Sequence, residues 1–110
     1  MKIVRTSNST VFDYILHLLN NFPNNWKVLY PSTNMIQYIY HDSKGTSYTV
    51  IMDHTTVVPK FFKDEVRIIF TKLTKEQVEK MTEALNILAV SREPEDKVID
   101  LMELLNDHKV

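Results

Sequence analysis

The fold of this 110-residue chain is decided by the stretch MIQYIYHDSKGTSYTVIMDH, which runs from Met35 to His54. Both halves of the stretch are rich in β-branched and aromatic residues, which favour strands, and they flank Asp42-Ser43-Lys44-Gly45. An Asp at the first position and a Gly at the fourth are typical of a type I turn closed by a left-handed glycine. Gly45 is the only glycine in the chain, and it stands where a positive φ is needed. The stretch therefore predicts an antiparallel hairpin over residues 34–54.

The turn also predicts which residues pair across the hairpin. Side chains alternate along a strand, so three opposing pairs share one face, and a slip of one residue would move them all to the other face. The pairs are Tyr40 with Tyr48, Tyr38 with Val50, and Ile36 with Met52. This aromatic and aliphatic face is the predicted core side of the sheet.

Helical and strand patterns extend outward from the hairpin. Apolar residues at helical spacing from Val11 to Phe22 predict a first helix that ends before Pro23. A capping box formed by Thr74 and Gln77 begins a second helix. Ser91–Asp96 is predicted to break that helix, with Pro94 in the first turn of a third. The inward residues of the third helix are predicted to be Val98, Leu101, Met102 and Leu105.

Three further strands are predicted, at Met1–Thr6, Trp26–Tyr30 and Glu65–Lys72, whereas Thr55–Asp64 reads as a loop or irregular edge. The predicted order is (β)-α-β-β-β-β-α-α over a single domain, residues 1–110. We expect the α+β class, with an antiparallel sheet of about four strands and helices on one face. The last helix is expected to complete that layer or to pack outside it.

The central part of this order resembles a known family. Over Thr10–Val90, the hairpin at Tyr40–Gly45 and the strand Val66–Phe70 leading into the Thr74 helix resemble the α-β-β-β-α arrangement of the small Alu-domain proteins of the signal recognition particle. The resemblance implies an antiparallel sheet backed by helices. Those proteins are strongly basic, whereas this chain has a net charge of −1 and adds a C-terminal helix, so no functional residue is carried over.

Composition excludes several kinds of site. The chain has no cysteine, which removes disulfides, thiolate metal sites and cysteine nucleophiles. A single glycine leaves no glycine-rich loop to hold a phosphate. The N-terminus lacks the apolar segment of a signal peptide, and no apolar run approaches the ~20 residues of a membrane span. We therefore expect a cytoplasmic protein.

No arrangement of residues predicts catalysis or a cofactor. The four histidines are His17, His41, His54 and His108, and none has the spacing that directs two imidazoles to one metal ion. The serines lack the strand–turn–helix context of a nucleophile. We expect a protein that is not an enzyme and that has no cofactor and no metal.

The far side of the central hairpin is the first candidate binding surface. It mixes Met, Ile, Gln, Thr and Arg, a mixture too apolar for a solvated face and too polar for a second core, and typical of protein interfaces. The predicted residues are Met35, Gln37, Ile39, Thr49, Ile51, Arg67 and Ile69. The surface is covered either by the chain's own last helix or N-terminal strand, or by a second copy or another protein.

A basic and aromatic stretch is the second candidate surface. Cations neutralise phosphates and rings stack on bases, so the pattern favours nucleic acid. The residues are Lys60, Phe61, Phe62, Lys63, Arg67, Lys72 and Lys75. The two phenylalanines are equally compatible with a loop anchored in the core.

Charge is unevenly distributed along the chain. Residues 1–75 carry nine Lys and Arg against five acids, whereas residues 76–110 carry four against nine. This division favours two surfaces with different partners.

We expect a small non-enzymatic protein that acts by protein–protein interaction, as a regulator or inhibitor. Its partner is another protein, or a second copy in a homodimer. Richness in Asn, Lys, Ile and Tyr is typical of AT-rich bacterial and phage genomes, and it favours an accessory role in a phage or mobile element. The alternatives are a nucleic-acid-binding module that uses residues 60–75 and a small-molecule pocket between sheet and helices.

Overall fold

The computed structural model describes the backbone of residues 2–108 and the side chains of residues 2–92. Within the described backbone lie six strands, two α-helices and one short 3₁₀ turn. In chain order they are β1 (Lys2–Thr6), α1 (Thr10–Asn21), the 3₁₀ turn (Pro23–Asn25), β2 (Trp26–Ser32), β3 (Met35–His41), β4 (Ser47–Asp53), β5 (Lys60–Lys63), β6 (Val66–Phe70) and α2 (Lys75–His108). The predicted α+β class is confirmed, with six strands in place of about four and two helices in place of three.

One sheet contains all six strands, in the order β1-β6-β5-β4-β3-β2. Strands β2 to β6 form an antiparallel meander, as the hairpin pattern predicts. Strand β1 lies at the edge beside β6 and runs parallel to it, so the sheet is mixed. Five strands lie between the two helices, which differs from the three implied by the resemblance to the Alu-domain proteins.

The central hairpin has the predicted register. Tyr40 pairs with Tyr48, and Tyr38 pairs with Val50. In the turn, Gly45 donates its N–H to the Asp42 carbonyl at 3.2 Å, and Asp42 Oδ1 accepts the backbone N–H groups of Lys44 and Thr46 at 2.9 and 2.8 Å. These bonds satisfy the backbone groups that the tight turn exposes.

Gly45 has φ +84, a conformation that L-residues with a Cβ adopt at a cost. A Cβ added there would meet no atom within 4 Å, so a substitution would be strained only in its backbone. We expect Gly45→Val to lower the free energy of unfolding by about 1–2 kcal/mol, and Gly45→Asn by less, since Asn tolerates this conformation. Urea unfolding of the two variants measures the difference. Equal costs for Val and Asn would contradict the backbone explanation.

Strand β5 was not predicted, because Thr55–Asp64 reads as a loop. The strand has only four residues and follows Pro59, which favours an irregular reading. Its connection to β6 is also unusual: Lys63 pairs directly with Val66, and the intervening Asp64 has φ 53. An Asp-Glu turn lacks the glycine that normally marks a two-residue hairpin, so the sequence gives little signal for it.

Helix α2 begins as predicted and continues further than predicted. The Thr74 hydroxyl accepts the Gln77 N–H at 3.1 Å, and the Gln77 side chain accepts the Thr74 N–H at 2.8 Å, which confirms the capping box. The expected break at Ser91–Asp96 is wrong, because α2 is continuous from Lys75 to His108. An interior proline removes one helical hydrogen bond and disfavours a helix without forbidding it. The third-helix residues Val98, Leu101, Met102 and Leu105 lie outside the residues whose side chains are described.

The core lies between the sheet and the two helices, on the predicted face. Phe12 of α1 contacts Phe61 and Phe70 edge-on, with ring centroids 5.5 and 5.6 Å apart. The Tyr38 hydroxyl donates to the Leu85 carbonyl of α2 at 3.1 Å, so this buried phenol is satisfied. The side chains fully shielded from solvent are Trp26, Tyr38, Phe12, Phe61, Ile15, Met81, Leu85 and Val50.

Candidate functional site

The sheet has a second face, which points away from α1 and α2. We call it the far face and define it by the alternate residues of each strand, since side chains alternate across a sheet. Its residues are Ile3, Arg5, Lys27, Leu29, Met35, Gln37, Ile39, His41, Ser47, Thr49, Ile51, Asp53, Lys60, Phe62, Arg67 and Ile69. Neither helix packs on the far face along the residues with described side chains. The alternative that the chain's own last helix covers this face falls on residues after 92, whose side chains are not described, whereas β1 joins the edge of the sheet and does not cover the face.

All seven residues predicted for a protein-binding surface lie on the far face. Thr49 pairs with Ile39 and with Phe62, so β3, β4 and β5 present a continuous row at its centre. Arg67 follows next in that row, opposite Phe62. Each predicted residue is half-buried, as expected for side chains that shield one another on an uncovered sheet.

The basic stretch is divided between different surfaces. Phe61 is 2% exposed and belongs to the core, so it is not accessible for base stacking. Lys63 lies on the same side of β5 as Phe61, while Lys72 and Lys75 follow the sheet at its margin. Lys60 and Phe62 point to the far face, where they join Arg67, which both candidate surfaces include.

Seven residues of the far face belong to neither predicted surface: Ile3, Arg5, Lys27, Leu29, His41, Ser47 and Asp53. Ile3 and Arg5 reach it because β1 pairs with β6, where Ile3 lies opposite Arg67. Lys27 and Leu29 reach it from β2, at the other edge. Alternation within each strand was the available signal. The pairing of β1 with β6 joins segments more than sixty residues apart, and no local pattern specifies it.

The far face is basic. It carries Arg5, Lys27, Lys60 and Arg67 against one carboxylate, Asp53. None of these four cations forms an ion pair with another residue whose side chain is described. The Arg67 Nε atom is shielded from solvent and finds no hydrogen-bond partner among the same residues.

The single carboxylate of the far face is already engaged. Asp53 accepts the backbone N–H and the hydroxyl of Thr55, both at 2.9 Å. These hydrogen bonds lower the pKa of the Asp53 carboxyl, and the nearby Lys60 and His54 lower it further. Asp53 is thus ionised at neutral pH and offsets part of the charge at one end of the face only.

No group of three or more His, Cys, Asp or Glu side chains suited to a metal ion occurs among the described residues. Over the same part of the chain, no helix combines the length and the apolar character that crossing a membrane requires.

Comparison of the chain with protein-family models, with curated proteins and with solved structures gave no match.

Proposed function

We propose that this protein acts without catalysis, by binding an acidic partner protein through the far face, as a regulator or inhibitor of that partner. The observation that carries the proposal is a sheet face left uncovered by the residues with described side chains, in which an aliphatic centre is surrounded by cations that form no ion pair among those residues. Ile39, Ile51 and Ile69 supply apolar area to bury. Arg5, Lys27, Lys60 and Arg67 supply a positive field that steers and orients an acidic surface.

The dimensions of the far face suit an interface of ordinary size. Six strands at the usual spacing span about 24 Å, and strands of seven residues extend about 23 Å. That footprint is on the order of 500 Å², before the relief of the side chains is added. Since a stable interface takes roughly 800 Å² from each partner, the partner would cover the whole face rather than a part of it.

The make-up of the far face favours protein over nucleic acid. Sheet surfaces that bind single strands use two or three aromatic rings as stacking platforms. At the centre of the far face one ring, Phe62, stands among branched aliphatic side chains. Branched aliphatic groups contribute burial against another apolar surface, and they do not stack on bases.

Site-specific photocrosslinking in the native host tests the proposal. A benzophenone amino acid at Lys27 or Gln37 samples the far face, and the same residue at Glu79 or Glu83 samples the exposed side of α2 as a matched control. We expect one discrete protein adduct from the two far-face positions and none from the helix positions. The partner so identified should then bind the purified protein with an affinity that falls as salt rises. Adducts from the helix positions alone would overturn the proposal.

Nucleic acid is the second candidate partner, since Lys60, Phe62 and Arg67 lie together on one face. A salt-dependent shift assay with single-stranded and duplex probes distinguishes it. Weakening by Lys60→Glu but not by Lys72→Glu, an exposed position beyond the end of β6, would assign nucleic acid to the far face in place of a protein.

A further inference from the structure

A cleft of about 650 Å³ opens at the turn end of the central hairpin, between α1 and the β3–β4 connection. It lies on the helix side of the sheet and borders the far face at His41, which belongs to both surfaces. Leu18 and the buried tyrosines Tyr40 and Tyr48 are among its lining residues. Its volume is within the range of roughly 300–1,000 Å³ that is typical of small-molecule sites.

The α1 side of the cleft is a row of aromatic rings. Tyr14 meets Tyr48 edge-on at 5.5 Å, and it stacks beside His17 at 6.4 Å with an angle of 21° between the planes. His17 in turn meets Phe22 at 6.1 Å. Tyr14 and Phe22 are 43% and 45% exposed, which is high for aromatic residues that already have ring neighbours. Both rings therefore keep exposed surface on which a flat ligand could pack.

The opposite side of the cleft is cationic. Lys44 and Lys63 both line it, and neither forms an ion pair with another residue whose side chain is described. Asp42 also lines the cleft, but its Oδ1 is already engaged by the backbone of the turn. Two exposed ammonium groups and one carboxylate thus line the cleft.

Polar groups complete the lining. Burial raises the pKa of the Tyr48 hydroxyl, and Tyr14, Asp42 and Asp64 raise it further, so this hydroxyl remains a neutral donor. Asn25, Ser43 and Thr46 add amide and hydroxyl groups. A ligand with a ring alone would leave these donors and acceptors without partners.

We propose that this cleft binds a nucleotide, with the base stacked on Tyr14 or Phe22 and the phosphate held by Lys44 and Lys63. A nucleotide is the ligand class that uses all three features together: a planar ring for the aromatic row, an anion for the lysines, and base and ribose polar groups for the amide and hydroxyls. A simple aromatic acid would use the rings and lysines but would fill little of the cleft. The nucleotide is either free or part of a single strand, because base and phosphate are the same in both.

Titration of the purified chain with AMP, GMP, UMP and CMP, and with an eight-residue single-stranded RNA, tests the proposal. Trp26 is the only tryptophan, and its ring lies 5.3 Å from the ring of Tyr40, which lines the cleft. The fluorescence of Trp26 therefore reports whether the cleft is occupied. We expect saturable binding of at least one probe. Binding of mononucleotides would identify the ligand as a free nucleotide, whereas binding of the RNA alone would identify it as a nucleotide within a strand.

Matched variants separate this site from non-specific charge. Tyr14→Ala and Lys63→Glu should each raise the dissociation constant of the bound probe by about tenfold or more. Tyr14→Phe keeps the ring and Lys75→Glu lies outside the cleft, so each should change that constant less than threefold. Tyr14 and Lys63 are exposed, and a thermal melt verifies that each variant is folded. Absence of saturable binding for every probe up to about 5 mM, or equal weakening by Tyr14→Phe and Tyr14→Ala, would overturn the proposal.

Discussion

Replacing Phe12 by alanine should lower the free energy of unfolding by about 3–5 kcal/mol, a large part of the roughly 5–15 kcal/mol that stabilises a domain. Phe12 is 0% exposed and packs edge-on against Phe61 and Phe70, which also contact one another at 5.2 Å. Its removal would leave a cavity where α1 meets β5 and β6. Urea unfolding followed by Trp26 fluorescence measures the loss.

Two controls define the meaning of that result. Phe12→Leu keeps most of the volume, and we expect it to cost only about 1 kcal/mol. Val57→Ala removes two methyl groups from a side chain that is 85% exposed, and we expect a change within about 0.5 kcal/mol. If Phe12→Ala costs no more than Val57→Ala, the aromatic cluster does not hold α1 on the sheet.

Reversing the charge of Lys60 and Arg67 together should weaken binding of the crosslinked partner by at least about thirtyfold, or about 2 kcal/mol. Both cations flank Phe62 on the far face, so Lys60→Glu/Arg67→Glu would oppose an acidic surface at its centre. Isothermal titration of the purified partner at two salt concentrations measures the loss.

The matched control is Lys72→Glu/Lys80→Glu, which changes the net charge equally at exposed positions off the far face. We expect it to weaken the complex less than threefold. Because Arg67 is half-buried, Arg67→Gln provides a milder variant, with an expected loss of about tenfold. Equal effects of the two double variants would mean that net charge, and not the far face, governs binding.

The central hairpin could be predicted because its signals are local and agree with one another. Asp42 and Gly45 define the turn, and the turn defines the register that divides Tyr38 and Val50 from Ile39 and Ile51. The same holds for the start of α2, where Thr74 and Gln77 lie three residues apart and bond to each other. Each of these features depends on residues close together in the chain.

The errors arose where distant residues, or weak local signals, determine the structure. Strand β5 gains its partners on both sides from β4 and β6, which compensates for its length and for Pro59. The place of β1 at the edge of the sheet depends on pairing with β6, which lies more than sixty residues further along the chain. The predicted end of the second helix relied on Pro94, which disfavours a helix locally but did not end α2.

The candidate surface could be predicted in part for the same reasons. Alternation along β3, β4 and β6 identified the aliphatic part of the far face. Of its four cations, Arg67 lies on β6 and was included, whereas Arg5, Lys27 and Lys60 lie on three other strands. The basic stretch 60–75 read as one surface in sequence, but alternation along β5 directs Phe61 to the core and Phe62 to the far face.

Methyl NMR of isoleucine-labelled protein tests the central claim, that the far face is the binding surface, most directly. Ile39, Ile51 and Ile69 report from the far face, while Ile87 on the exposed side of α2 is an internal control. On addition of the crosslinked partner, we expect the three far-face methyl signals to shift or broaden and the Ile87 signal to remain. A shifted Ile87 signal with unchanged Ile39, Ile51 and Ile69 signals would contradict the claim.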